Sequence, residues 1–140
     1  MNNEKNVELD TIRVKRLELV DSQGRVRVVM GIGDQEQPGL QLLRRNGSIA
    51  LSLSTHVSPD VDPDEDKNNT RECSQIDFFD MEGLVRMTLQ MSDEWPQYPG
   101  IGLMNSQGKE MIGLVVTPND DAEIAILDGD GRPIWMKRNA

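Results

Sequence analysis

A glycine recurs five times in this chain with the same neighbours around it. Gly24, Gly47, Gly83, Gly108 and Gly131 stand 23, 36, 25 and 23 residues apart. Five residues before each stands Leu19, Leu42, Phe78, Leu103 or Ile126, and seven before stands Leu17, Leu40, Ile76, Ile101 or Ile124. Four residues after each stands Val28, Leu51, Met87, Ile112 or Trp135. Every one of these positions is apolar in a chain that is 36% hydrophobic, so one structural unit is written five times.

The first copy, Leu17 to Met30, shows what the unit is. Leu17 and Leu19 alternate with Glu18, and Val26, Val28 and Met30 alternate with Arg25, Arg27 and Val29. A period of two puts one set of side chains on one face of a pleated ribbon, which is the signature of strands. Between the runs, Asp21 can accept hydrogen bonds from amides two residues on, and Gly24 can take the positive φ that closes a turn with a bulge. Aligned with Asp21 are Arg44, Asp80, Asn105 and Asp128, of which only Arg44 lacks a capping oxygen. The prediction is an all-β fold of about five tandem hairpins and about ten strands. A meander barrel, a sandwich and a hairpin solenoid all satisfy the pattern. Because one hairpin is marginal in water, the repeats are expected to pack on each other. Trp135 is expected in that core, since it replaces Val28 and Leu51 in its column.

Residues 1–140 read as a single domain with a polar lead-in over 1–10. Thr11-Ile12-Arg13-Val14 alternates and reads as the start of the first strand. Over residues 54–73 the repeat is interrupted by an acidic, solvated insertion. Within it, Asp60, Asp62 and Asp64 open like a calcium loop, but the sixth position is Glu65 where glycine is needed, and the twelfth is Arg71. A solvated charge run is the simpler reading, and no metal or cofactor is expected. Asp128-Gly129-Asp130-Gly131 is explained by the repeat's turn. Pro133 lies in the last returning strand and cannot donate to a ladder, so that strand is expected at a sheet edge.

A net charge of −9 and a pI of about 4.5 disfavour nucleic acid and anionic membrane surfaces as partners. No stretch has signal-peptide or membrane-span length, and the single cysteine forms no internal disulfide, so a cytoplasmic location is expected. Cys73 and the single histidine, His56, are a conceivable nucleophile and base, but nothing around them supplies an oxyanion hole, and an enzyme is not expected.

Four residues before the glycines, Val20, Leu43, Phe79, Met104 and Leu127 point away from the Leu19 column yet are all apolar. They are the candidate interaction face. Arg27 and Arg86, three after their glycines, are expected to pair with Glu18 and Asp77 across the strands. Trp95 and Tyr98, in a proline-flanked loop, are candidate ligand-binding aromatics for a carbohydrate.

The pattern Leu17-Glu18-Leu19-Val20-Asp21-Ser22-Gln23-Gly24-Arg25-Val26-Arg27 resembles hairpin arrays in uncharacterised bacterial proteins, and the likeness covers Leu17 to Met136 without bringing an activity. The array is also similar in outline to choline-binding cell-wall repeats, but those cage their ligand with aromatics in every repeat, where this chain has Leu, Val and Ile. The function expected is therefore a non-enzymatic structural or protein-interaction module that self-associates as a homo-oligomer. Carbohydrate binding through Trp95 and Tyr98 is the alternative.

Overall fold

The computed structural model describes residues 10–33, 37–57, 72–92, 99–117 and 121–139. The five recurrent glycines all adopt positive φ, between 76° and 85°, a conformation costly for any side chain with a Cβ. Each closes the same turn. In the first, Gly24 N–H donates to Asp21 O at 2.9 Å, while the Asp21 carboxylate accepts from the amides of Gln23 and Arg25 at 2.9 and 3.1 Å. Asp80, Asn105 and Asp128 accept the same pair of amide bonds in the third, fourth and fifth turns. In the second, where Arg44 takes the place of the acceptor, Asn46 Oδ1 accepts from Ser48 N–H at 3.1 Å instead.

These turns join β1 (Arg16–Val20) to β2 (Val26–Ile32), β3 (Pro38–Leu43) to β4 (Ile49–Val57), and β5 (Glu72–Phe79) to β6 (Val85–Ser92). They also join β7 (Pro99–Met104) to β8 (Glu110–Val116), and β9 (Ala122–Leu127) to β10 (Pro133–Arg138). All ten strands form one antiparallel sheet in chain order, β1 to β10. The all-β array of five hairpins is therefore as the periodicity predicts. The sheet is open, with β1 and β10 at its edges, which removes barrel closure from the three arrangements. Pro133 accordingly sits where a missing N–H costs least.

Three sequence expectations are corrected. Thr11–Val14 is not strand; β1 starts at Arg16. The insertion expected over 54–73 is shorter, because Ser54–Val57 belongs to β4 and Glu72–Cys73 to β5, where the ladder continues from Ser54↔Gln75 to Val57↔Glu72. Backbone pairing persists there although the apolar alternation has stopped. The acidic run Asp60–Asp66 lies outside the described residues.

The third correction concerns the core. No hydrophobic side chain among the described residues is buried, and Trp135 is half exposed on edge strand β10. The repeats meet edge to edge through backbone ladders, and each strand touches only its neighbours in sequence. Within the chain nothing described lies across either face of the sheet.

Candidate interaction surface

Every hairpin carries one extra residue on its returning strand. Leu19 pairs with Val28 but Val20 pairs with Val26, leaving Arg27 unpaired. The same shift leaves out Ala50, Arg86, Met111 and Ile134 in the other four hairpins. Such bulges bend the strand and re-aim a side chain. Arg27 is turned toward the turn rim, where Nε donates to Leu43 O at 3.1 Å and the guanidinium reaches the Asp21 carboxylate at 3.6 Å. Arg86 repeats the arrangement with Met104 O at 3.2 Å and Asp80 at 3.3 Å. The expected partners Glu18 and Asp77 are thus replaced by the turn aspartates. Glu18 instead pairs with Arg16, and Asp77 accepts from Gln75.

A cationic side chain ties each hairpin to the next. Arg27 spans the first and second, Arg86 the third and fourth, and Lys109 Nζ donates to Gly129 O at 2.6 Å between the fourth and fifth. Between the second and third, the link comes from Arg44, which donates to Ile49 O and to Phe79 O. The second hairpin has alanine at its bulge, Ala50, so the arginine has moved to the position that the other turns use for an acceptor. The odd residue in the turn column is therefore the one that completes the series of links.

The turn acids respond to these contacts. Hydrogen bonding from the Arg25 side chain, reinforced by the Arg25 and Gln23 amides, holds the Asp21 pKa down at about 2. The Leu84 and Glu82 amides, with the Arg86 guanidinium, hold Asp80 below its usual value. Glu110 shifts the other way, pushed up by burial. Its carboxylate lies over two glycines of the neighbouring ladder positions: a Cβ on Gly113 would stand 2.5 Å from Glu110 Oε1, and one on Gly102 3.0 Å from Oε2. Thr88, paired with Gly102, is buried, and its Oγ1 has no hydrogen-bond partner among the described residues.

The register places the apolar columns on one face as two continuous rows, one residue per strand. The first row crosses from Leu19 through Leu42, Phe78 and Leu103 to Ile126 and Trp135, with Val28, Leu51, Met87 and Ile112 between them. The second runs from Leu17 through Leu40, Ile76, Ile101 and Leu114 to Ile124, and ends at Lys137, its one charged member. Many of these side chains are well exposed. Beside the second row lies a groove of about 540 Å³, whose walls include Leu53, Ile76, Leu89, Met91, Ile101 and Leu114. The opposite face is polar along the middle strands: Gln41, Ser52, Asp77 and Thr88 follow one another in one row there, preceded by Glu18 and Val29 and continued by Gly102, Gly113, Ala125 and Met136.

Val20, Leu43, Phe79, Met104 and Leu127 lie on that opposite face at the turn rim. They pair with Val26, Ile49, Val85, Glu110 and Pro133. Val20 is exposed and the other four are half buried among their neighbours. Glu110 and Pro133 interrupt this strip, whereas the two-row face has no such break before Lys137. Trp95 and Tyr98 belong to the connection between β6 and β7 and lie outside the described residues. His56 and Cys73 stand opposite one another in the β4–β5 ladder, and Cys73 is a free, half-buried thiol. Among the described residues no group of three or more His, Cys, Asp or Glu side chains is placed to hold a metal ion, and no helix is long and apolar enough to cross a membrane. No family model matches the chain and no curated protein matches it.

Proposed function

We propose that this protein is a non-enzymatic structural or protein-interaction module that acts by self-association. One observation carries the reading: an ordered ten-stranded sheet has no buried hydrophobic side chain of its own among the described residues, while two rows, apolar at every strand but for the terminal Lys137, cross one of its faces. Ordering a residue costs roughly 1–2 kcal/mol of backbone entropy. Backbone ladders whose hydrogen bonds merely replace bonds to water offset little of that. Burial of apolar surface is the main compensating contribution, and here it has to come from across the sheet. Exposed apolar patches of this extent mark interaction surfaces. The edges β1 and β10 add open ladders through which further strands can pair.

Co-expression of two differently tagged copies tests the reading. Capture of one tag from a washed column is expected to retain the other at about half the captured tag's amount, the share that random pairing of equally expressed copies gives. Recovery of a single tag alone, from chain that is folded by circular dichroism, would remove self-association as its mode of action.

A further inference from the structure

We infer that the two-row face is a twofold interface, covered by the same face of a second copy of this chain to make a sandwich of two ten-stranded sheets. This rests on the self-association reading and adds the surface and the geometry.

Area supports it. Ten strands at a spacing of about 4.8 Å, with two rows each owning about 7 Å of strand length, give a footprint of roughly 650 Å² for the rows alone. Two copies together hide roughly 1,300 Å², within the range of stable interfaces. Edge-to-edge pairing of β1 or β10 would satisfy a few backbone groups and leave both rows in water. Residues 58–71, the longest undescribed stretch between strands, carry one aliphatic side chain, Val61, too little to cover the face.

Charge supports it as well. Two chains of net charge −9 repel each other, so their contact must keep carboxylates out. Neither row contains an acidic residue: Glu18, Asp77, Glu110 and Glu123 fall on the other face by register, and Glu72 stands four positions beyond Ile76 of the second row, at the far end of β5.

Shape then selects the axis. The first row carries bulky Phe78, Met87 and Trp135, while the groove lies on the far side of the second row, where Thr55, Ser74 and Ala122 are small. A twofold axis running along the second row lays each copy's first row over its partner's groove. It also stacks like strand on like strand, the self-complementarity an isologous dimer requires.

Methionine oxidation on the unmodified protein, combined with sedimentation, tests this. Met30 and Met91 lie on the two-row face, 48% and 44% exposed in the single chain; Met136, on the opposite face, is 50% exposed, and Met81, in a turn, is 67% exposed. The expected result is a species of twice the 15.7 kDa chain mass, with Met30 and Met91 oxidised at least about fivefold more slowly than Met136 and Met81. A dimer in which Met136 is the protected residue would overturn the assigned face and leave self-association standing. A species of three chain masses would overturn the twofold axis in the same way. A folded monomer at high micromolar concentration would overturn both. In addition, Leu114→Lys, if it retains the β-sheet circular dichroism signal, is expected to sediment as a monomer; a dimer of that variant would count against the interface.

Discussion

Arg44 and Ala50 offer a direct test of whether the hairpins are held in series by their cationic links. The first and third hairpins place aspartate three before the glycine and arginine three after it (Asp21 with Arg27, Asp80 with Arg86). The second places Arg44 before and Ala50 after. Arg44→Asp would gain the turn acceptor, worth about 0.5–1 kcal/mol by analogy with helix caps. It would lose two charge-assisted bonds, to Ile49 O and Phe79 O. Such bonds contribute about 1.5–3 kcal/mol when well buried, and roughly 1 kcal/mol each at a half-exposed rim. The net expectation is a loss of about 1–1.5 kcal/mol, or roughly 3–6 °C in melting temperature for a chain of this size. Ala50→Arg alone is expected to be near neutral, because Phe79 O is already engaged. The double variant restores the layout of the first and third hairpins and is expected to melt at or above the parent, giving a coupling of roughly 1–2 kcal/mol. Thermal and urea unfolding at one protein concentration would measure it, since association also contributes to the midpoint. Single effects that add to within about 0.3 kcal/mol would refute the linkage.

Other outcomes follow from the turns and from Glu110. Gly47→Ala is expected to lose about 1 kcal/mol from its positive φ alone, because nothing stands within 4 Å of the new Cβ; Gly47→Asn should recover most of it in the same melt. For Asp21 the folded pKa of about 2 lies below the ordinary 3.8, so its contribution is full above pH 3.8 and disappears as pH falls toward 2. Asp80 adds to the loss in the same direction, and acid unfolding of Asp21→Asn should be the shallower. Glu110 has the opposite sign. Its pKa lies above 4.5 in the folded chain, so stability falls as pH rises through that region, and Glu110→Gln should remove this fall. Gly113→Ala should displace the Glu110 carboxylate and bring its pKa back toward 4.5, readable by carboxyl carbon NMR titration.

The repeat columns made the strands and turns legible because backbone geometry imposes them locally. A glycine at positive φ and an acceptor three residues earlier are needed wherever this turn occurs, and period-two alternation reports which face each side chain takes. A bulge at the turn glycine was legible, but the extra residue three positions after it was hidden, since Arg27, Ala50, Arg86, Met111 and Ile134 share no residue type and the requirement there is for an extra residue of any kind. The links between hairpins were half visible: Arg44 stood out as the exception in its column, but its partner Phe79 O belongs to the next unit and is a backbone group. The missing core could not be read at all. Alternation says that one side of a strand is apolar, not what lies opposite, so Trp135 looks the same in sequence whether it faces a second layer or solvent. The strand pairing of Ser54–Val57 with Glu72–Gln75 was obscured for a related reason: polar residues can continue a ladder that no apolar face demands.

Strict adjacency of the strands has a consequence for how such a protein can change over evolutionary time. A duplication of one hairpin would lengthen the sheet by two strands, about 10 Å, and leave every existing pairing untouched. Each such step would add four apolar side chains to the two rows without altering their width, and it would preserve the direction in which the chain leaves the array. Loss of a single strand would instead reverse that direction. The number of hairpins is thus a ruler for the length of the apolar strip, marked in whole units, and copies of unequal count would meet with an overhang.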